Sequence, residues 1–277
     1  MDNLLDRLLD DLRAALRAYP TLLKVGFAEA VAYRAETVVW MLTNTMPLVN
    51  LALWSAVTRE RPVHGYQQAD LVAYFLSALL VRQLTSSWVL WEMSREIRMG
   101  VLSMRLLRPI HPLWAYSAEN LSGLPLRTVF AIPVATIGIA VAGSNHVAGD
   151  AAHWLVLVPA LLGAWQINFW TNALMGTLSF WLEQSMAVFQ LWLGGYFILS
   201  GYMFPLDFVG RGTGIAIIHA LPFYSMAGFP VEVLLGRLPV EQALVQLGVQ
   251  WAWVGALGVG TLLLWRAGVR RYNAVGA

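Results

Sequence analysis

Six runs of mostly apolar residues, each about the 20 residues a helix needs to cross a bilayer, constrain this chain more than any other feature. The first is Thr37 to Val57, the second Leu71 to about Trp91, and the third about Leu121 to Ala142. The fourth opens at His153, the fifth closes near Met203, and the sixth covers roughly Ala243 to Trp265. The fourth and fifth are divided by a polar break expected at Ser179 to Ser185, where Glu183 and Gln184 sit. Only 12% of the residues are charged, half of the roughly 25% carried by soluble domains. The expected fold class is an all-α polytopic membrane protein with six transmembrane helices, a single transmembrane domain over residues 1–277.

The segment between the second and third runs differs in kind. Arg95 to Pro112, REIRMGVLSMRLLRPIHP, carries four arginines and Glu96, with Glu92 just before it, a concentration of charge found inside none of the neighbouring apolar runs. Gly100 can interrupt a helix, and Pro109 and Pro112 prevent the next one from continuing through. The spacing predicts a short amphipathic helix over Val101 to Arg108, with Val101, Leu102, Met104, Leu106 and Leu107 on its apolar positions. That is a docking element, not a catalytic one. At the N-terminus, Leu5, Leu8, Leu9, Leu12 and Leu16 recur at helical spacing opposite Asp6, Asp10, Arg13 and Arg17. Pro20 is expected to end this helix, and a second amphipathic run follows from Leu22 to Tyr33. Residues 1–34 read as an interfacial segment lying along the membrane surface; a soluble helical hairpin is the alternative. Asp2, Asp6, Asp10 and Asp11 stand where a signal peptide would be basic.

Orientation follows from Lys and Arg near the spans. The N-terminal segment, the 95–112 stretch and the C-terminal tail together hold twelve, while the opposite loops hold four: Arg59, Arg61, Arg211 and Arg237. Both termini and the 95–112 stretch are therefore expected on the cytoplasmic side. Trp40, Trp88, Trp91, Trp114, Trp181 and Trp265 fall near the predicted inner ends, and Trp54, Trp154, Trp251 and Trp253 near the outer ends, as interfacial belts do. The loop between spans five and six is long yet apolar, broken by Gly201, Pro205, Gly210, Gly212, Pro222 and Pro230. A re-entrant helical loop over residues 204–237 is expected, because irregular backbone at membrane depth must be covered by protein.

No phosphate-binding loop, HExxH pair or GxSxG elbow occurs, and cysteine is absent. The five histidines lie on different loops without metal-ligand spacing. No catalytic, cofactor or metal site is expected, so energy for work against a gradient must come from another chain. Arg82 falls near the middle of the second span, where a charge costs about 2.5–3.5 kcal/mol on insertion scales. It reads either as a cation facing a transport path or as a structural partner of carboxylates or carbonyls at a dimer interface. Arg127 can snorkel to the inner interface. Gln166, Asn168, Thr171 and Asn172 form a polar band in span four, suited to lining a path or to hydrogen bonds between helices.

The stretch EIRMGVLSMRLLRPIHP at Glu96 to Pro112, followed by SGYMFPL at Ser200 to Leu206, LPFYSMAGFPVEVLLG at Leu221 to Gly236 and the tail RRYNAVG, resembles the permeases of the ABC-2 type exporter superfamily. The chain is most similar to its small six-span bacterial group, over nearly its whole length, with AYRAE at Ala32 and GYQQADLVAYFL at Gly65 opening the first two spans. The resemblance implies a plasma (inner) membrane complex of two permeases, the second a copy or a paralogue, with two cytoplasmic ATPase subunits that hold ATP and Mg; lipid is a further partner and nucleic acid is not. It further implies that the ATPase grips Glu96, Arg98, Gly100, Leu106, Leu107, Arg108 and Pro109, and that the cargo is an exported drug, lipid or peptide. A coupling subunit of an ATP-driven importer, or a stand-alone membrane enzyme or channel, are the alternatives. The importer class carries paired Ala-Arg-Gly-type motifs, absent from this chain.

Overall fold

The computed structural model describes residues 2–35, 38–39, 45–59, 61–142, 147–210 and 212–272. Among them the chain is helical, with one isolated extended bridge between Val63 and Tyr66. That bridge closes a tight turn in which His64 and Gly65 both take positive φ, the geometry of a type I′ turn.

The first helix, α1 (Asp2–Ala32), runs without interruption past Pro20, so Pro20 does not end it as the sequence suggested. Proline removes one N–H, and the tertiary contacts of this helix offset that loss. Tyr19 meets Ser117 through a hydroxyl–hydroxyl hydrogen bond of 3.0 Å and packs edge-on against Trp114. At Gly26 the backbone comes so close to α6 (Pro112–Ser122) that an added Cβ would sit 2.5 Å from Ser122 Oγ. Leu16 and Val25 of α1, and Tyr33 just after it, remain exposed.

The first predicted span is described as α2 (Met46–Val57), and residues 37 and 40–44 of it lie outside the described residues. The second is not continuous. α3 (Gln68–Thr85) stops, Ser86 adopts an extended backbone, and α4 (Val89–Arg98) begins after Trp88. The sequence Thr85-Ser86-Ser87 explains the break, since short hydroxyl side chains compete for backbone partners; Thr85 Oγ1 already donates to Val81 O at 2.8 Å. Gly100, at φ 75°, then turns the chain into α5 (Leu102–Leu106). α6 and α7 (Leu124–Ala142) follow.

Two long helices organise the interior. α8 (Ala151–Thr177) ends in a short 3-10 turn, and the chain reverses to α9 (Ser185–Leu199) where the polar break was expected. α13 (Val240–Arg271) packs along α8. It buries positions 243, 250, 257, 261, 265 and 268, steps of seven, four and three that keep one seam facing a partner helix. Trp265 is 3% exposed inside this seam. It is a core residue and not part of an interfacial belt, whereas Trp91, Trp154 and Trp251 are exposed.

By length and composition α8 with its 3-10 turn (Ala151–Phe180) and α13 can each cross a membrane, and a third crossing exists if the bent pair Pro112–Val129 and Ala131–Gly138 is one span. α2 and α9 are shorter apolar helices. The membrane character of the chain is plain; six complete crossings are not read from helix length alone.

Between α9 and α13 lie a 3-10 turn (Leu206–Val209) and three short helices, α10 (Thr213–Ala220), α11 (Pro222–Met226) and α12 (Gly228–Leu234). Their backbone is tied down from several sides. Tyr74 donates to Gly201 O at 2.7 Å, Asn50 to Tyr202 O at 3.2 Å, and Trp54 Nε1 to Met203 O at 3.1 Å. Gly201, at φ 82°, lies so close to Tyr74 that a Cβ would meet its hydroxyl at 2.7 Å; only glycine fits. Gln250, wholly buried on α13, donates to Ala160 O of α8 and to Ser225 O of the loop at 2.9 and 2.8 Å.

Candidate functional site

At the end of the bundle carrying Gly100, α4, α5 and α6 converge on one side chain. Glu92 and Glu96 stand one turn apart on α4, and Glu119 faces them from α6. Arg105 of α5 reaches all three. Its Nη2 donates to Glu92 Oε1 at 2.6 Å, its Nε to Glu96 Oε2 at 2.7 Å, and its Nη1 to Glu119 Oε1 at 2.8 Å. The planar fork of arginine is what permits three carboxylates on one cation. The Tyr116 ring lies under the guanidinium, 4.3 Å from Cζ to centroid, while its hydroxyl donates to Glu96 Oε2 at 2.6 Å. The Arg105 and Glu96 side chains are only 12% and 10% exposed. Three acids around one base leave excess negative charge. Burial first, and the Glu119 charge second, push the Glu92 carboxyl well above the ordinary carboxylate range, although Arg105 pulls it down.

A second anchor ties this element to the α8–α9 reversal. The hydroxyls of Ser94, Ser179 and Ser185 form a closed triangle with edges of 2.7, 2.7 and 3.2 Å. Arg98 bridges the same two segments, donating from Nε to Ser94 O and from Nη1 to Glu183 O, both at 3.2 Å. Beneath them Leu102 is fully buried with Met93, Ile97, Tyr116, Phe169 and Trp265.

The predicted docking residues therefore divide. Glu96 points inward to Arg105, and Leu106 packs against the buried cluster. Gly100 makes the turn. Leu107 is 82% exposed, and Met99, Val101 and Met104 are exposed beside it, with Arg108 and Pro109 at the edge. The result is a flexible, methionine-containing apolar surface on a base pinned by charge and packing. Exposed apolar patches of this kind on an otherwise polar end mark interaction sites.

Of the polar residues of span four, Asn168, Thr171 and Asn172 share one buried face of α8 and Gln166 does not. At roughly 100° per residue, Gln166 lies about 200° round α8 from Asn168. Asn168 and Asn172 are buried on one face, and each donates to the carbonyl one turn back, Ala164 O and Asn168 O, at 2.9 Å. Arg82 lies against two tyrosines, its Cζ 5.2 Å from the Tyr196 ring centroid and 5.8 Å from that of Tyr202. Arg127 turns to the α3–α4 break, where its Nη1 donates to Ser86 O at 3.1 Å. Glu119 and Tyr116, central to the charge cluster, went unread in the sequence. The available signal was an acid three residues from a tyrosine on an otherwise apolar helix.

At the opposite end a groove of about 430 Å³ lies against His219, Tyr224, Glu241, Gln242 and Gln246. Tyr224 stacks on His219 and donates to Glu232 Oε2 at 2.5 Å. Among the described residues no group of acidic or histidine side chains has the arrangement to hold a metal ion.

The model of the family described as ABC-2 family transporter protein matches residues 44–276. No curated protein and no solved structure matches the chain.

Proposed function

Because this chain belongs to the ABC-2 family transporter proteins, we propose that it is the permease subunit of an ATP-binding cassette exporter, powered by a separate cytoplasmic ATPase and passing an apolar or amphipathic cargo. A transporter membrane component needs a surface that accepts force. The observation that carries the reading is the exposed Met99, Val101, Met104 and Leu107 patch on a base held by Arg105 and the three serines. Such a base moves as a unit, so a push on the patch is delivered to α4, α6 and the α8–α9 reversal together. In this reading the six apolar runs all cross the plasma membrane, both termini and the patch face the cytoplasm, and a second permease completes the path. The loop over residues 204–237 dips into the outer leaflet and caps the exit; its backbone ties to Tyr74, Asn50 and Trp54 support that placement.

The cargo reading follows from composition: an apolar molecule needs mainly area, at about 25 cal/mol per Å² removed from water. The test is Leu107→Asp, a surface change that leaves the Leu102 core intact. It should abolish co-purification with a co-expressed ABC ATPase partner and ATP-driven transport, while insertion and monodispersity stay as in the wild type. Unchanged complex formation and transport would refute the docking role.

A further inference from the structure

The groove at the end opposite the docking patch has no part in the permease reading. It lies between α10 and α11 on one side and the opening turns of α13 on the other, with a volume of about 430 Å³. That is within the roughly 300–1,000 Å³ of small-molecule sites. Glu241, Gln242, Val245 and Gln246 line it at helical spacing from one face of α13, and Leu238 adds to the apolar strip begun by Val245. The walls are fixed to one another. Gln246 Nε2 donates to His219 O and Trp253 Nε1 to Ala220 O, both at 2.8 Å. The His219 ring stacks on Tyr224 with 4.1 Å between centroids.

What the groove offers is acceptors. Among the described residues, the side chains of Glu241 and Gln242 make no hydrogen bond or ion pair, and neither ring nitrogen of His219 makes a hydrogen bond. Both N–H groups of the Gln246 amide are directed at His219 O and Ser225 Oγ, at 2.8 and 3.5 Å, which leaves its Oε1. The Tyr224 hydroxyl is spent on Glu232. Burial, against the Asp207 charge, holds the His219 imidazole below its ordinary range, so at neutral pH it is uncharged and one ring nitrogen accepts. Glu241 is the one formal charge on the wall, and no lysine or arginine lines it. Arg237, next to Leu238, is engaged elsewhere: its Nη2 donates to Asp70 Oδ1 at 2.9 Å, and its Cζ lies 4.0 Å from the Tyr66 ring centroid.

We propose that this groove binds a primary ammonium group carried on a short apolar body, the ammonium seated among Glu241, Gln246 Oε1 and the accepting nitrogen of His219, the body along Leu238 and Val245. The site goes beyond the permease reading and does not depend on it. A primary ammonium brings one positive charge and three donors, the complement of one carboxylate and two neutral acceptors. An anion would meet no cation on the wall, and a quaternary ammonium has no N–H to give. The same group occurs on free organic amines and on the ethanolamine headgroup of a lipid.

The experiment is isothermal titration calorimetry on the full chain in phosphatidylcholine nanodiscs at neutral pH, without any ATPase and with empty nanodiscs as the blank. Butylammonium, tetramethylammonium, butyrate, dihexanoyl phosphatidylethanolamine and dihexanoyl phosphatidylcholine are titrated separately. Butylammonium should bind at least about tenfold more tightly than tetramethylammonium or butyrate, as expected for charge-assisted hydrogen bonds. Glu241→Gln, a change at an exposed position, should weaken it by about tenfold or more. His219→Phe, which keeps the ring stack and removes the nitrogens, should weaken it by a smaller factor. Phosphatidylethanolamine binding more tightly than butylammonium, with phosphatidylcholine inert, would identify the occupant as a lipid headgroup; the opposite order would identify a free amine, and either result supports the site. Equal affinities for butylammonium, tetramethylammonium and butyrate in the wild-type chain would overturn the proposal without reliance on any variant. So would the absence of saturable binding of either amine below about 10 mM, or a Glu241→Gln chain that binds butylammonium as the wild type does. Because no ATPase is present, a failure here leaves the docking reading standing, and a failure of Leu107→Asp leaves this site standing.

Discussion

Replacing Arg105 with glutamine tests the charge cluster most directly. The wild-type guanidinium contacts Glu92, Glu96 and Glu119 at 2.6, 2.7 and 2.8 Å. Removing one partner of a buried ion pair costs about 3–5 kcal/mol, because the remaining charge stays buried. Glu92 and Glu119 are 33% and 30% exposed and can turn to water, so the penalty comes chiefly from Glu96 and its tyrosine. The lower end, about 3 kcal/mol, is the expected loss. At roughly 2–4 °C per kcal/mol for a chain of this size, the midpoint of heat-induced unfolding of the purified chain should fall by about 6–12 °C at pH 8. Acid should narrow the gap, since protonated carboxyls no longer need the cation. Glu92→Gln should be far milder than Glu96→Gln near neutral pH, because burial and Glu119 already hold the Glu92 proton on. A fall of less than about 2 °C for Arg105→Gln, or a gap that widens in acid, would show that the cluster is an ornament of the surface and not its support.

Two further outcomes are expected. Burial first, with the Asp207 charge adding to it against the Tyr224 hydrogen bond and Arg237, pushes the Glu232 carboxyl up from 4.5 to about 7. A raised carboxyl favours the folded state while it is protonated, so this stabilisation is complete below about pH 4.5 and lost as pH rises through about 7; about 3 kcal/mol is at stake. Glu232→Gln should flatten the fall of the unfolding midpoint between pH 5 and pH 8, and an unchanged slope would assign that dependence elsewhere. The chain has no native cysteine, so Ser103→Cys should be shielded from a membrane-impermeant maleimide applied to whole cells while Ser144→Cys reacts; the reverse pattern would invert the orientation.

Much of this architecture was legible in the sequence because hydrophobic length is a one-dimensional signal. The reversal near Ser179 to Ser185 and the turn at Gly100 are set by local chemistry and emerged where expected. Pro20 misled, since contacts of Tyr19 and Gly26 with α6 lie nearly a hundred residues away in sequence. The break at Ser86 was missed because an apolar run hides backbone competition by hydroxyls. The apolar face of α5 was half right: its spacing fixes which residues are apolar, but only the fold decides that Leu102 lies inside and Leu107 outside. Arg105 stood out as charge, yet its three-way pairing required Glu119 from another helix.

The unequal helices have a consequence for the surrounding bilayer. On α13 the exposed apolar side chains run from Leu244 to Leu263, about 28 Å at 1.5 Å per residue, close to the roughly 30 Å of hydrocarbon in a typical membrane. On α9, with Leu191 and Ile198 exposed, the helix is 15 residues long, about 22 Å by the same rise. In the permease reading, where α9 also crosses, no single membrane thickness suits both walls. A mismatch of several ångströms, at fractions of a kcal/mol for each, must be absorbed by tilt, by the apolar loop that continues from Leu199, or by acyl chains compressed on that side. An acyl chain compressed against α9 already stands above its resting free energy in the bilayer, and that difference lowers the work of removing it.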